Sequence, residues 1–261
     1  MKPLVRNILA GFTIAACSAL LVFVDREREI GQRPVTCSGV TVTILDSAKV
    51  SFVTVADVKG YIQNEAGPWL GQKPDSIKLW QIEEILSSKP AIRNGEAYFT
   101  GAQLHVDVMQ REPAVKFSLS GVESFYADPS GFIFPLQPGY RSDVPVVEGN
   151  SPLVLPSGFK GRIDNAKGRA WLGRIIDLAS FINEHPQWKA LFPAIEADRE
   201  GNLRLKPAVG EEIFIFGQPL RVEDKFSKIK KYYEYIAVQN GERRDYKTVN
   251  ISFKGQIICS R

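Results

Sequence analysis

Two histidines, His105 and His185, three cysteines, Cys17, Cys37 and Cys259, and two adjacent carboxylate pairs, Glu83-Glu84 and Glu211-Glu212, are the residues whose types could move a proton, ligate a metal or supply a thiolate. Their settings argue against each use. A catalytic imidazole needs an orienting partner and a group to activate. His105 lies in the alternating run Leu104-His105-Val106-Asp107-Val108-Met109 and His185 precedes Pro186 at a helix end, neither with an evident partner. Adjacent residues on a helix or strand point in different directions, so neither carboxylate pair makes an acid/base couple. Cys259 sits beside Ile257 and Ile258 in an apolar stretch, where burial keeps a thiol inert. Two histidines and three scattered cysteines do not make a Cys/His metal cluster. The phosphate loop, the dinucleotide fingerprint, the H-E-x-x-H zinc motif and the G-x-S-x-G elbow have no match. The residues describe a protein that is not an enzyme, with no cofactor, no metal and no small-molecule substrate.

With 44% hydrophobic and 24% charged residues, 21 glycines and 16 prolines, the chain is neither disordered, collagen-like nor a multi-span transporter. Its 261 residues suit one large domain or two ordinary ones. A net charge of +4, from 33 basic and 29 acidic residues, is too small to predict a nucleic-acid partner. The charge is uneven, however: residues 221–261 carry net +5 and residues 25–220 net −3. Two readings of the basic end stand, a solvated helix face from Lys225 to Lys231 or a docking surface for an acidic partner.

The compartment is read from the N-terminus. Ile8 to Val24 is an uncharged run of seventeen residues, preceded by Lys2 and Arg6 and followed by Asp25-Arg26-Glu27-Arg28-Glu29. At about 1.5 Å per residue it covers about 26 Å, one short membrane span. A cleaved signal peptide would end in small residues, whereas this run ends Leu20-Leu21-Val22-Phe23-Val24. Ile14-Ala15-Ala16-Cys17 resembles a lipobox, yet apolar residues continue beyond Cys17. Basic residues lie on both sides of the span and do not decide its orientation. A short N-terminus inside and a large domain outside is the simplest topology. Cys37 and Cys259 would then face an oxidising compartment. They would bridge only if the fold joined two positions near opposite ends of the ectodomain.

Beyond the linker, Val40-x-Val42-x-Ile44 alternates as a strand. Thr54 caps a helix carrying Val55, Val58 and Ile62, which stops at Gly67-Pro68, and a second helix runs from about Pro74 to Ser88-Lys89-Pro90. Ala91 to Thr100 and Leu104 to Met109 follow as strands, giving a small βααββ domain. From Glu112 onward, short apolar runs separated by turns such as Asp128-Pro129-Ser130-Gly131 predict an antiparallel sheet. Two helices interrupt it, Ala170–Asn183 and Lys225–Val238, and the chain closes on strands over Tyr246 to Phe253 and Gln256 to Cys259. The fold class is α+β.

Several short motifs then fall in one order: Leu104-x-Val106-x-Val108-x-Gln110-Arg111-Glu112-Pro113, then Phe125-Tyr126-Ala127-Asp128-x-x-Gly131-x-x-x-Pro135-Leu136, then Val144-Pro145-Val146-Val147-x-Gly149. Lys225-Phe226-x-Lys228 and Tyr246-x-x-Val249-Asn250-Ile251-x-Phe253-Lys254-Gly255-Gln256-Ile257-Ile258 complete them. This series resembles the FtsQ/DivIB-type bacterial cell division proteins, which join a POTRA domain to a β domain behind one membrane span. The resemblance implies a cytoplasmic N-terminus over residues 1–7, a transmembrane helix over 8–24, a linker over 25–34, a POTRA domain over 35–111 and a larger antiparallel β domain over 112–261. It further implies a single-pass inner-membrane protein, its bulk periplasmic and enriched at the division septum, which recruits divisome proteins, notably the FtsB/FtsL coiled-coil pair. A POTRA-bearing export component and a membrane-anchored cell-wall enzyme are the alternatives. The first would bring repeated POTRA domains or a barrel, the second a convergent acid/base site. The expected partner-binding residues are Tyr246, Lys247, Thr248, Val249, Asn250, Ile251, Ser252 and Phe253, as a strand with one free edge. The competing reading is that the Gln256–Cys259 arm covers that edge.

Overall fold

The expected first strand forms as β1 (Gly39–Ile44), with Val40 buried and Thr41 and Thr43 exposed. The computed structural model describes residues 18, 20, 36–239, 242, 243 and 246–261. No helix among the described residues is long and apolar enough to cross a membrane, and the expected span, Ile8 to Val24, lies outside them except for Ser18 and Leu20. The chain forms two compact units. Of the described residues, one gathers those up to Thr43 with Val55–Leu86 and Gly95–Val108; the other gathers those in Ile44–Thr54, Ser87–Asn94 and Met109–Arg261.

In the first unit, α1 (Val55–Glu65) buries Val58 and Ile62, and α2 (Leu79–Ser88) buries Ile82, Ile85 and Leu86. The second helix starts later than the proline suggested. Pro74–Ser76 makes only a single 3-10 turn, because Ile77 is extended (ψ 116°) and interrupts the helical path before Leu79. The sheet has the order β1-β3-β2, from β2 (Ile92–Thr100) and β3 (Gln103–Gln110), with Leu104, Val106 and Val108 fully buried in its central strand. Gly95 lets α2 approach β2: a Cβ there would lie 2.7 Å from Leu86 Cδ1. Beside it, Glu83 Oε1 accepts a hydrogen bond from Ala97 N at 3.1 Å, tying the helix to the strand backbone.

The second unit is built on ten strands: β4 (Val115–Leu119), β5 (Phe125–Ala127), β6 (Phe132–Pro135), β7 (Val146–Gly149), β8 (Gly161–Arg162), β9 (Ala194–Ala197), β10 (Leu203–Leu205), β11 (Ile213–Gly217), β14 (Thr248–Asn250) and β15 (Ile258–Ser260). Their order is β15-β14-β11-β10-β9-β7-β4-β5-β6-β8, and a separate ribbon pairs β12 (Val238–Gln239) with β13 (Glu242–Arg243). The expected antiparallel sheet is in fact mixed. β4 with β7, β7 with β9, and β11 with β14 run parallel. A parallel pair needs a long crossover, and two of these crossovers carry the helices: α3 (Ala166–Glu184) and the short α4 (Pro186–Leu191) lie between β7 and β9, and α5 (Val222–Lys231) between β11 and β14.

Asn165 caps α3 by accepting from Lys167 N at 2.9 Å, so this helix begins before Ala170. Pro186 separates α3 from α4, which the sequence did not announce as a helix. Trp171, Ile175, Ala179 and Ile182 of α3 join Phe117, Val147, Ile195, Leu203, Phe214, Phe216, Val249 and Ile251 of the sheet in one apolar core. The C-terminal helix also ends earlier than expected. Beyond Lys231 it widens into a π-turn over Tyr232–Ile236, and both Tyr232 and Tyr233 pack on Phe214, at 5.3 and 5.8 Å between ring centroids.

Candidate partner-binding site

Of the residues considered first for chemistry, Cys17 lies outside the described residues, and the described ones do not converge. His105 stacks on Tyr98 at 5.3 Å, and His185 stacks on Phe181 with its Nδ1 2.7 Å from the Phe181 carbonyl. Glu83 serves the backbone of Ala97, whereas Glu212 is buried and accepts from the Tyr233 hydroxyl at 2.9 Å. Cys37 and Cys259 are free thiols, and burial pushes the Cys259 thiol up. Among the described residues, no group of three or more histidine, cysteine, aspartate or glutamate side chains is placed to hold a metal ion.

What the fold does offer is a sheet end. Tyr246 to Phe253 runs through β14, whose backbone is engaged on both sides. Its parallel neighbour β11 pairs Ile213 with Thr248, Phe214 with Val249 and Ile215 with Asn250. Its antiparallel neighbour β15 pairs Thr248 with Ser260, Val249 with Cys259 and Asn250 with Ile258. Lys247 bonds both ways, its N–H reaching Ser260 O at 2.9 Å and its carbonyl accepting from Ile213 N at 2.9 Å. Among the described residues the free edge therefore belongs to Ile258–Ser260, one strand outward from the position expected, because the Gln256–Cys259 arm folds back and covers β14.

The eight expected residues divide by face. Val249 and Ile251 are fully buried and anchor the strand in the core, and half-buried Tyr246 packs on Tyr232 at 6.4 Å. Thr248 and Asn250 are half-buried, and Lys247 is exposed. Asn250 Oδ1 accepts from Ser252 N at 3.0 Å and Ser252 Oγ at 2.7 Å, which turns the chain out of the strand. Phe253 follows, 51% exposed, and Ile258 is 46% exposed on the edge strand. Through their registers, Ile258, Asn250 and Ile215 form one row across three strands, continued by Arg204 and Glu196. Two apolar side chains thus flank an amide beside a charged pair, a surface suited to protein contact.

Behind this end lies α5, with Phe226 and Ile229 buried. Lys225 and Lys228, expected on a solvated face, are 2% and 5% exposed. The Lys225 ammonium lies 4.3 Å over the Phe216 ring and donates to Gln218 O at 2.6 Å; burial, then the neighbouring Arg221 and Lys228, pull its pKa down to about 8. Lys228 Nζ donates to Phe253 O at 2.5 Å and pairs with Asp224 at 3.0 Å, and this bond holds the Asp224 carboxyl below its ordinary value. Lys225 lies four residues before Ile229, but Lys228, two residues after Phe226 and one before Ile229, is at helical spacing with neither, so its burial had no signal in the sequence.

Residues 112–260, more than half of the chain, match the family model described as FtsQ/DivIB, C-terminal related. The chain belongs to the FtsQ/DivIB family. Residues 35–109 match a POTRA-like domain. No curated protein matches the chain. Family membership places it among cell division proteins, and both domain types are non-enzymatic scaffolds. The motifs that carried the resemblance also meet in space: Arg111 and Asp128, from two of them, are joined by an ion pair of 2.8 Å.

Proposed function

We propose that this FtsQ/DivIB-family chain is a single-pass inner-membrane scaffold of the divisome that binds other division proteins, notably the FtsB/FtsL coiled-coil pair, through the C-terminal end of its large sheet. In this reading residues 8–24 span the membrane, residues 35–111 form the POTRA domain, and residues 112–261 form the partner-binding domain in the periplasm. The observation that carries the reading is the terminal strand β15, whose outer side has no neighbouring strand among the described residues. A strand edge of this kind recruits an extended partner segment through backbone hydrogen bonds, with alternate side chains supplying selectivity. Tyr246, Lys247, Thr248, Val249, Asn250, Ile251, Ser252 and Phe253 then act as the inner arm that fixes β15, and exposed Phe253 and Ile258 add apolar contact.

The test is to place proline in turn at Ile258, Cys259 and Ser260 of the full-length chain and measure capture of the FtsB/FtsL pair. Proline removes one backbone donor without emptying the core. The reading expects at least one variant to lose capture while keeping its thermal unfolding midpoint. Undiminished capture by all three would overturn it.

A further inference from the structure

Two lysines buried beside a sheet end are costly, because a buried ammonium loses its hydration and lysine is almost never fully buried. Among the described residues, no carboxylate is hydrogen-bonded to Lys225: its ammonium meets the Gln218 carbonyl and the Phe216 ring. Lys228 has Asp224, but its shortest bond is to the Phe253 carbonyl. Arg221, four residues before Lys225, sends Nη2 to the Ser252 carbonyl at 2.9 Å. Arg221 also carries a left-handed backbone (φ 54°), alone among the described non-glycine residues. That conformation costs energy for a residue with a side chain.

Three cations on the first two turns of one helix therefore end on three main-chain carbonyls. Two of these, Ser252 and Phe253, lie between β14 and the Lys254-Gly255 turn that leads into β15. The same spot is crowded from below. Gly217 (φ 70°) ends β11 directly against this exit, where a Cβ would lie 2.9 Å from Ser252 Cβ. Replacing buried charges by apolar groups of similar volume is often neutral or stabilising. Stability alone therefore does not account for these residues, whereas their targets define a position.

We propose that Arg221, Lys225 and Lys228 are positioning residues, a clamp in which Arg221 and Lys228 fix the exit from β14 and Lys225 fixes the neighbouring end of β11 at Gln218, so that together they hold the β14–β15 hairpin with its outer edge presented to a partner. The clamp's role in recognition rests on the partner-binding reading above; its role in holding the hairpin does not. The basic C-terminal region is thus turned partly inward, onto the protein's own backbone, and its positive charge is not all available to an acidic partner.

The test compares the full-length wild type with Lys225→Met/Lys228→Met, with Lys228→Arg, and with Arg221→Gly, which removes the guanidinium and relieves the left-handed backbone. Three quantities are read: amide hydrogen exchange over Ser252–Ser260, the thermal unfolding midpoint, and capture of the FtsB/FtsL pair. The clamp predicts exchange at least tenfold faster in this segment for the double methionine variant and for Arg221→Gly, with no fall in the unfolding midpoint, and protection retained by Lys228→Arg. Faster exchange with capture weakened at least tenfold supports both the clamp and the partner site. Faster exchange with undiminished capture supports the clamp and removes the partner site from this edge. Unchanged exchange in Arg221→Gly and in the double variant overturns the clamp, and so does faster exchange that appears only with a general loss of stability.

Discussion

The Arg111 guanidinium donates to Asp128 Oδ2 at 2.8 Å while its Cζ lies 3.5 Å from the centroid of the Phe132 ring. Arg111 Nε also donates to Pro90 O at 3.0 Å, and the other Asp128 oxygen accepts from Ser130 N, Ser130 Oγ and Phe132 N. The ion pair is nearly dry, with side-chain exposures of 12% and 5%. Removing one member of such a pair leaves the other buried and uncompensated. Arg111→Ala and Asp128→Ala are each expected to cost about 3 kcal/mol, measured by urea unfolding. A cost near that of an exposed pair would show that solvent reaches the site.

Gln110, one residue earlier, uses its whole amide. Its Oε1 accepts from Phe52 N at 2.7 Å and Val53 N at 2.8 Å, and its Nε2 donates to Asp46 Oδ1 at 3.1 Å and Val50 O at 2.8 Å. Gln110→Leu would keep most of the volume and abandon two backbone donors, at about 1–3 kcal/mol for each one left unpaired and buried. Amide exchange at Phe52 and Val53 should rise selectively. Unchanged protection there would mean that other groups already satisfy them.

Gly95→Ala tests the helix-strand approach. The added Cβ would meet Leu86 Cδ1 at 2.7 Å, and Leu86 is itself fully buried. Overpacking of this kind costs about 1–3 kcal/mol. Pairing it with Leu86→Val should recover part of the loss in a double-mutant unfolding series.

These contacts show how far the chain could be read before its fold was known. Val40-x-Val42-x-Ile44, the Val55, Val58 and Ile62 spacing and the Leu104–Met109 alternation are local patterns, and each formed its element. Strand partners are not local. Nothing in Val146–Gly149 says that it lies parallel to both β4 and β9, so the mixed sheet was not legible. The Arg111–Asp128 pair spans two recognised motifs, yet neither motif names the other as its partner. At the C-terminus the strand was found, but which side of it stays open depends on where Ile258–Ser260 pairs. Lys225 and Lys228 looked solvated because charge usually is; their burial follows from carbonyls supplied by Gln218 and Phe253.

The buried Lys225 makes a pH signature. Its folded pKa of about 8 lies below the ordinary 10.5, so between these values the unfolded chain binds more protons than the folded one. Stability then rises with pH across that window. The penalty is fully present below pH 8 and lifts toward pH 10.5. The difference in unfolding free energy between wild type and Lys225→Met should therefore shift in favour of the wild type from pH 8 to 10.5, measured by denaturant unfolding. A difference that does not change with pH would show that this ammonium is solvated.

The most direct measurement is site-specific photocrosslinking in the native membrane, with the photoreactive residue placed at Ile258 or Ser260 on the outer strand and, as a control, at Tyr98 on the sheet of the first unit. The account predicts adducts with an FtsB/FtsL-type protein from Ile258 or Ser260 and none with it from Tyr98. Adducts with that pair from Tyr98 alone, with the terminal strand silent, would contradict it.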